Sequence, residues 1–215
     1  MNQTLPVSVE TKPLSDKCVL CQREIAVKRT RLFDYHFGAK GFYNIAACTS
    51  CGLEQTSPRP TESELTFFYE TYYNAHGSTG KFYLKIRNWF FFSWFTSLWI
   101  KLDGDVSFYG RKGSGRLLDV GCNEGRGLQI YQRNGFKAEG LELNEVAATV
   151  ARKNGFVVYS ERIEKFTPSG SYDVIVLANV LEHVLNPQEM LEHVKRLLKP
   201  GGQVWVSLIQ WVPTF

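Results

Sequence analysis

The sequence predicts an α/β protein. A mostly parallel sheet with flanking helices occupies residues 113–215, and a small cysteine-rich domain occupies residues 1–57. Three observations carry this reading. Strand and helix patterns alternate through the second half, as expected of a parallel sheet covered on its faces. Two Cys-x-x-Cys pairs lie close together in the first half. After them, "TSPRP" (Thr56–Pro60) restricts the backbone and reads as an extended break that ends the cysteine segment.

The elements follow in order. Arg116–Val120 is an apolar strand run, and Gly125–Arg133 suits a helix. Phe136–Leu141 is a second strand and Asn144–Asn154 a second helix, followed by a short strand at Phe156–Tyr159. "YDVIVLA" (Tyr172–Ala178) is a continuous apolar strand of the kind buried on both faces. Pro187–Leu198 reads as helix, with proline at its start and "KPGG" (Lys199–Gly202) stopping it. Gln203–Ile209 is the last strand. Residues 58–112 form an aromatic-rich, mainly helical connector, and Thr61 with Glu64 fits a capping box.

Composition narrows the function. The 215 residues are 44% hydrophobic and 21% charged, as in globular proteins. The formal charge of +4 lies in residues 1–112, with 14 Lys and Arg against 10 Asp and Glu; residues 113–215 carry 11 of each. No basic block or stripe forms a phosphate-tracking face, so nucleic acid is an unlikely partner, even though Lys28, Arg29 and Arg31 lie close together. "MNQTLPVSVE" lacks the basic start and apolar run of a secretory signal. Without such a signal, the cysteines point to a reducing, cytoplasmic setting and to a metal rather than disulfides.

Cys18 and Cys21, 26 intervening residues, then Cys48 and Cys51 supply four thiolates for a tetrahedral ion, and zinc is the expected occupant. Four cysteines leave no open position for water, so the expected role is structural. Gly52 lets the chain fold back tightly after Cys51. His36 is the weaker ligand candidate.

"LLDVGCNEGRG" (Leu117–Gly127) reads as strand, tight turn and helix start. Open parallel sheets bind ligands beyond the carboxyl ends of their strands. Glu142 follows the second strand, where a carboxylate can accept both hydrogen bonds of a ribose diol, in NAD or another adenosine cofactor. The loop spacing is G-x-x-x-G-x-G instead of G-x-G-x-x-G, and Asn123 and Glu124 would hinder a pyrophosphate. There is no GxxxxGK[ST] loop for a nucleoside triphosphate. A cofactor with a positive centre and no phosphate suits the loop better.

Together "LLDVGCNEG", "GFKAEGLELN", "YDVIVLANVLEHVLNP" and "VKRLLKPGG" resemble the class I S-adenosylmethionine-dependent methyltransferases, in particular members with an N-terminal four-cysteine zinc-binding segment. The resemblance covers residues 115–209 and implies a Rossmann-like sheet preceded by a zinc-ribbon-like domain. It implies that Asp119, Gly121, Cys122, Asn123 and Gly125 form the cofactor loop, with Cys122 packing as a small residue within it. Glu142 would take the ribose hydroxyls, and Leu143, Arg162 and Ile163 would lie about the adenine. Asn179 and Val180 would lie beneath the reacting sulfonium, with Glu182 and His183 on the substrate side.

The implied reaction is methyl transfer to a small-molecule acceptor. His183 is the candidate base, because imidazole titrates near neutral pH; packing at a helix start is its alternative role. Glu182 could orient His183, position substrate or share a divalent ion with it. His193 reads as a surface or packing residue within its helix. The family sheet ends in an antiparallel hairpin beyond the fifth strand. Without one, Gln203–Ile209 would be an apolar edge for a partner or second copy to cover. A truncated or non-catalytic form is the other reading. "RNWFFFSWFTSLWIK" (Arg87–Lys101) is too short to span a bilayer and fits a helix packed on the sheet, a lid over an apolar substrate, or a peripheral membrane contact through residues 81–101.

Overall fold

Five parallel strands form the sheet of the second half, and their sequences explain why both faces are covered. They are β4 (Arg116–Val120), β5 (Lys137–Leu141), β6 (Val158–Tyr159), β7 (Tyr172–Ala178) and β8 (Leu198–Ser207), in the order β6-β5-β4-β7-β8. In this computed structural model the described residues are 17–34, 41–68, 71 and 107–208. The chain divides into two units, Met1–Gly80 and Lys81–Phe215.

Successive residues of β4 and β7 point to opposite faces, as the pleat requires. Leu117, Val174 and Val176 join one buried cluster with Leu128, Tyr131, Ala148, Ala151 and Trp205. Leu118, Val120, Ile175 and Leu177 join another with Ile163, Phe166, Met190, Val194 and Leu197. Helices α2 (Arg126–Arg133) and α3 (Glu145–Lys153) supply the first cluster, and α4 (Pro187–Leu197) the second. Truncating one of these fully buried leucines to alanine costs about 2–5 kcal/mol.

The strand order reverses between β4 and β7. The helices before β7 cover one face, and the helix after it covers the other. This creates a crevice at the carboxyl ends of β4 and β7, where ligands bind in such sheets. Each helix is placed by local chemistry. Asn144 caps α3 by accepting from the N–H groups of Val146 and Ala147 at 2.9 and 3.2 Å. Asn186 caps α4 through Glu189 N–H at 3.2 Å, with Pro187 in the first turn.

The last strand departs from the sequence expectation. "KPGG" lies inside β8 instead of ending the helix ahead of a separate strand. Tyr172 pairs with Leu198 while Val174 pairs with Gln203, so the residues between are accommodated as an irregularity in the ladder. Lys199 within it pairs with Asp173 at 2.8 Å. The short strand is likewise briefer than expected, two residues at Val158–Tyr159.

The first unit contains an antiparallel sheet of β1 (Ile25–Leu32), β2 (Tyr43–Cys48) and β3 (Glu54–Ser57), in that order. Helix α1 (Glu62–Phe68) begins with the expected capping box. The Thr61 N–H donates to Glu64 Oε2 at 2.7 Å, and the Glu64 N–H to Thr61 Oγ1 at 3.3 Å. His36 and the aromatic segment of residues 81–101 lie outside the described residues. Among the described residues, no helix is long and apolar enough to cross a membrane.

Candidate functional site

The crevice starts at Asp119 in β4. Asp119 is 7% exposed, and its carboxylate has no hydrogen-bond partner among the described residues. Burial, helped by the nearby Glu142 charge, pushes its pKa up to about 7. A buried acid without a partner is costly unless something else supplies the compensation.

The loop beyond it is shaped by left-handed backbone. Gly121, Asn123 and Gly125 have φ of 74°, 51° and 83°. Asparagine is among the few side-chain-bearing residues that adopt this region readily, which is why Asn123 can stand where a glycine is usual. Its Oδ1 also accepts the Glu124 N–H at 2.9 Å. A β-carbon at Gly125 would lie 2.8 Å from Phe156, and one at Gly127 would lie 2.7 Å from Asp119 Oδ2. Helix α2 therefore approaches β4 closely because position 127 is glycine, and its start packs closely on Phe156 and Ala151 because position 125 is. Gly121 is exposed at the mouth of the crevice, and a β-carbon there would lie 3.4 Å from Val180 Cγ2, so the loop and the end of β7 face each other.

Cys122 turns inward. It is 5% exposed and occupies the space above Gly140, where a β-carbon would lie 2.3 Å from its sulfur. Only its backbone is left to face a ligand. Its N–H and that of Gly121 donate to Leu141 O at 3.1 and 2.8 Å, tying the loop to β5.

Glu142 strengthens that tie. Its Oε2 accepts the Asn123 N–H at 2.9 Å, and its Oε1 accepts the Asn144 N–H at 2.7 Å. Sequence reasoning assigned this carboxylate to a ligand alone and missed its grip on the loop. Each carboxylate oxygen retains a second lone pair, so a diol can still be accepted. Beside it, Leu143 is 64% exposed while Ile163 is 3% exposed, so Leu143 offers an open apolar surface and Ile163 belongs to the core beneath. Arg162 pairs with Glu164 at 3.6 Å.

Past β7, Asn179 has φ of 55° and its N–H donates to Ser207 O at 3.0 Å. This turn sends the chain through Val180 into a 3-10 turn at Leu181–His183. Burial holds the His183 imidazole below its usual pKa, against an opposing pull from Glu182. A separate groove between α2 and α3, lined by Glu124, Arg126, Gln129, Val150, Asn154 and Phe156, shares Gly125 with the predicted cofactor residues.

In the first unit, the Sγ atoms of Cys18, Cys21, Cys48 and Cys51 all lie within 4.8 Å of one another. The N–H groups of Cys51 and Ser50 both donate to Cys48 Sγ at 3.4 Å and draw its pKa down to about 6. Gly52, at φ 77°, donates its N–H back to Cys48 O at 3.1 Å.

Curated relatives match just under half of the chain. The chain is 35% identical over 107 residues to the ubiquinone biosynthesis O-methyltransferase of Nitrosococcus oceani, covering 46% of this chain and 45% of that protein. It is 32% identical over 107 residues to the protein of the same name from Pseudomonas aeruginosa, covering 46% of each. The chain thus spans under half the length of the curated relatives it matches. Among solved structures, the N-methyltransferase NodS from Bradyrhizobium japonicum, in complex with S-adenosyl-L-homocysteine, is similar at 19% identity and a TM-score of 0.40, over 51% of this chain and 57% of that one. A methyltransferase-domain family model matches residues 101–210, which contain the glycine loop, Glu142 and the turn after β7. The chain belongs to the methyltransferase-domain family.

Proposed function

We propose that the second unit binds S-adenosylmethionine in the crevice between β4 and β7 and transfers its methyl group to a small-molecule acceptor. A hydroxyl oxygen is the acceptor favoured by the curated relatives. The observation that carries the reading is the buried, unpartnered carboxylate of Asp119 beside a glycine loop latched to Glu142. A cationic ligand is the natural partner for such a carboxylate.

The cofactor supplies a methyl group already activated on a sulfonium, so the protein's work is alignment. Asp119 and the exposed backbone at Gly121 hold the methionine end, with Asn123 and Gly125 giving the loop its shape. Glu142 accepts the ribose hydroxyls through its remaining lone pairs. Leu143 lies against the adenine, over Ile163, with Arg162 at the rim. Asn179 and Val180 close the crevice under the reacting centre. His183 takes the acceptor's proton: burial favours its neutral form, the form a base requires. Glu182 steadies or orients that exchange.

Cys18, Cys21, Cys48 and Cys51 hold a structural zinc ion. Their four sulfurs already sit together, and the amide donors to Cys48 favour its thiolate. Such thiols fit a reducing, cytoplasmic setting.

Calorimetric titration of the whole chain with S-adenosylmethionine, with zinc measured on the same sample, tests the proposal. Saturable one-site binding is the expected result. A folded, zinc-loaded chain that shows none removes the cofactor assignment.

A further inference from the structure

The stretch from Ser160 to Phe166 follows β6 and begins beside Glu142, whose N–H donates to Tyr159 O at 3.0 Å. Strand β6 has only two ladder pairs, Gly140 with Val158 and Leu141 with Tyr159. So short a ladder cannot by itself fix the loop that follows. Two side chains from helices on opposite faces of the sheet do so instead.

At the entry, Arg152 of α3 spreads its guanidinium over three acceptors. Nε donates to Val158 O at 2.8 Å, Nη2 to Ser160 Oγ at 2.5 Å and Nη1 to Glu145 Oε1 at 2.6 Å. At the exit, His193 of α4 meets Phe166 O through Nε2 at 3.1 Å. Its Nδ1 lies 3.0 Å from Arg196 Nη2. A guanidinium only donates, so Nδ1 accepts and the ring proton sits on Nε2, directed at Phe166 O. Phe166 is itself 2% exposed, with its ring 4.9 Å from that of Tyr159. The 3-10 turn Ile163–Lys165 is suspended between these two anchors.

We propose that Arg152 and His193 are positioning residues that clamp the Ser160–Phe166 loop at its two ends and so set the wall against which the adenine of the cofactor packs. This rests on the cofactor assignment above. Neither side chain touches the ligand. Arg152 acts through Val158 and Ser160, and His193 through Phe166. A loop fixed in advance costs less ordering on binding, and the benefit appears as affinity.

The test is titration of the full chain with S-adenosylhomocysteine, alongside thermal melting and amide exchange across residues 160–166. His193→Leu removes the donor and should weaken binding about tenfold, with faster exchange in the loop and little change in melting temperature. His193→Gln offers an N–H at a similar reach and should restore binding to within about twofold of the parent. Equal affinity in the parent and His193→Leu overturns the clamp, as does a His193→Gln variant as weak as His193→Leu. If His193→Leu does not fold, Arg152→Ala in the same titration decides: a loss of affinity supports the clamp, and parental affinity overturns it. Absence of binding by the folded parent chain instead rejects the cofactor assignment, and the clamp falls with it.

Discussion

Asp119 and Glu142 are both acids at the carboxyl ends of adjacent strands, yet the protein treats them in opposite ways. Glu142 accepts one backbone N–H on each carboxylate oxygen, whereas Asp119 is buried with no hydrogen-bond partner among the described residues. The pH dependence of Asp119 follows from its raised pKa. The folded form binds the proton more tightly than the unfolded chain, from an ordinary 3.8 to about 7. Stability is therefore undiminished by this group below about pH 4, and falls as pH rises to about 7, where the cost of burying its charge is fully felt. Asp119→Asn should raise the melting temperature of the ligand-free protein at pH 8, with the gain shrinking toward pH 4, while cofactor affinity falls at least tenfold. A pH-independent difference in melting temperature would contradict the assignment. Glu142→Ala should weaken the cofactor at least about tenfold by calorimetry without unfolding the domain. Unchanged affinity would reject the ribose contact. At Asn123, glycine should be tolerated, whereas valine at φ 51° should cost about 1–2 kcal/mol in denaturant titration.

Among the elements, the glycine loop and β5 are a single packed object. Cys122 fills the space that glycine leaves at position 140. Gly140→Ala should destabilise by about 1–3 kcal/mol through overpacking, and Cys122→Ala in the same chain should recover part of the loss, the part due to the sulfur. A double-mutant cycle with no coupling would show that the strain is relieved elsewhere. How legible each element was depended on whether its cause is local. The capping box at Thr61 and the start of α3 near Asn144 are read directly from neighbouring residues. The three strands of the first unit were not read, because β1, "IAVKRTRL", is largely exposed and lacks clean alternation. "KPGG" looks like a stop signal locally, but pairing with β7 carries the strand through it. In the candidate site, the turn at Gly121 and the place of Glu142 after the second strand were legible from spacing, Asp119 was singled out by the family resemblance, and the roles of all three toward a ligand belong to the proposal. The latch of Glu142 on Asn123 and the reach of His193 to Phe166 were not legible, because each joins residues far apart in sequence.

For the molecule as a whole, the two units differ in what sustains them. The second has two buried clusters packed on either face of its sheet. In the first, among the described residues, the buried positions are Cys18, Ala46, Cys48, Gln55 and Ser57, too few apolar side chains to sustain a core. If the four cysteines hold zinc, the metal carries much of that unit's folding energy. Chelation should then abolish the far-ultraviolet signal and exchange protection of β1–β3 while S-adenosylmethionine binding by the second unit persists. Mass spectrometry under native conditions should count one zinc per chain before chelation.

The contrast between the two acids bears on how this sequence would age if the proposed activity were lost. Glu142 would stay, because two backbone amides depend on it whether or not a ligand arrives. Asp119 would drift first, since the empty fold gains by replacing it. An intact Glu142 in a descendant thus says little about whether that protein still works. On the proposed cofactor assignment, a surviving aspartate at position 119 would be the mark of selection for ligand binding.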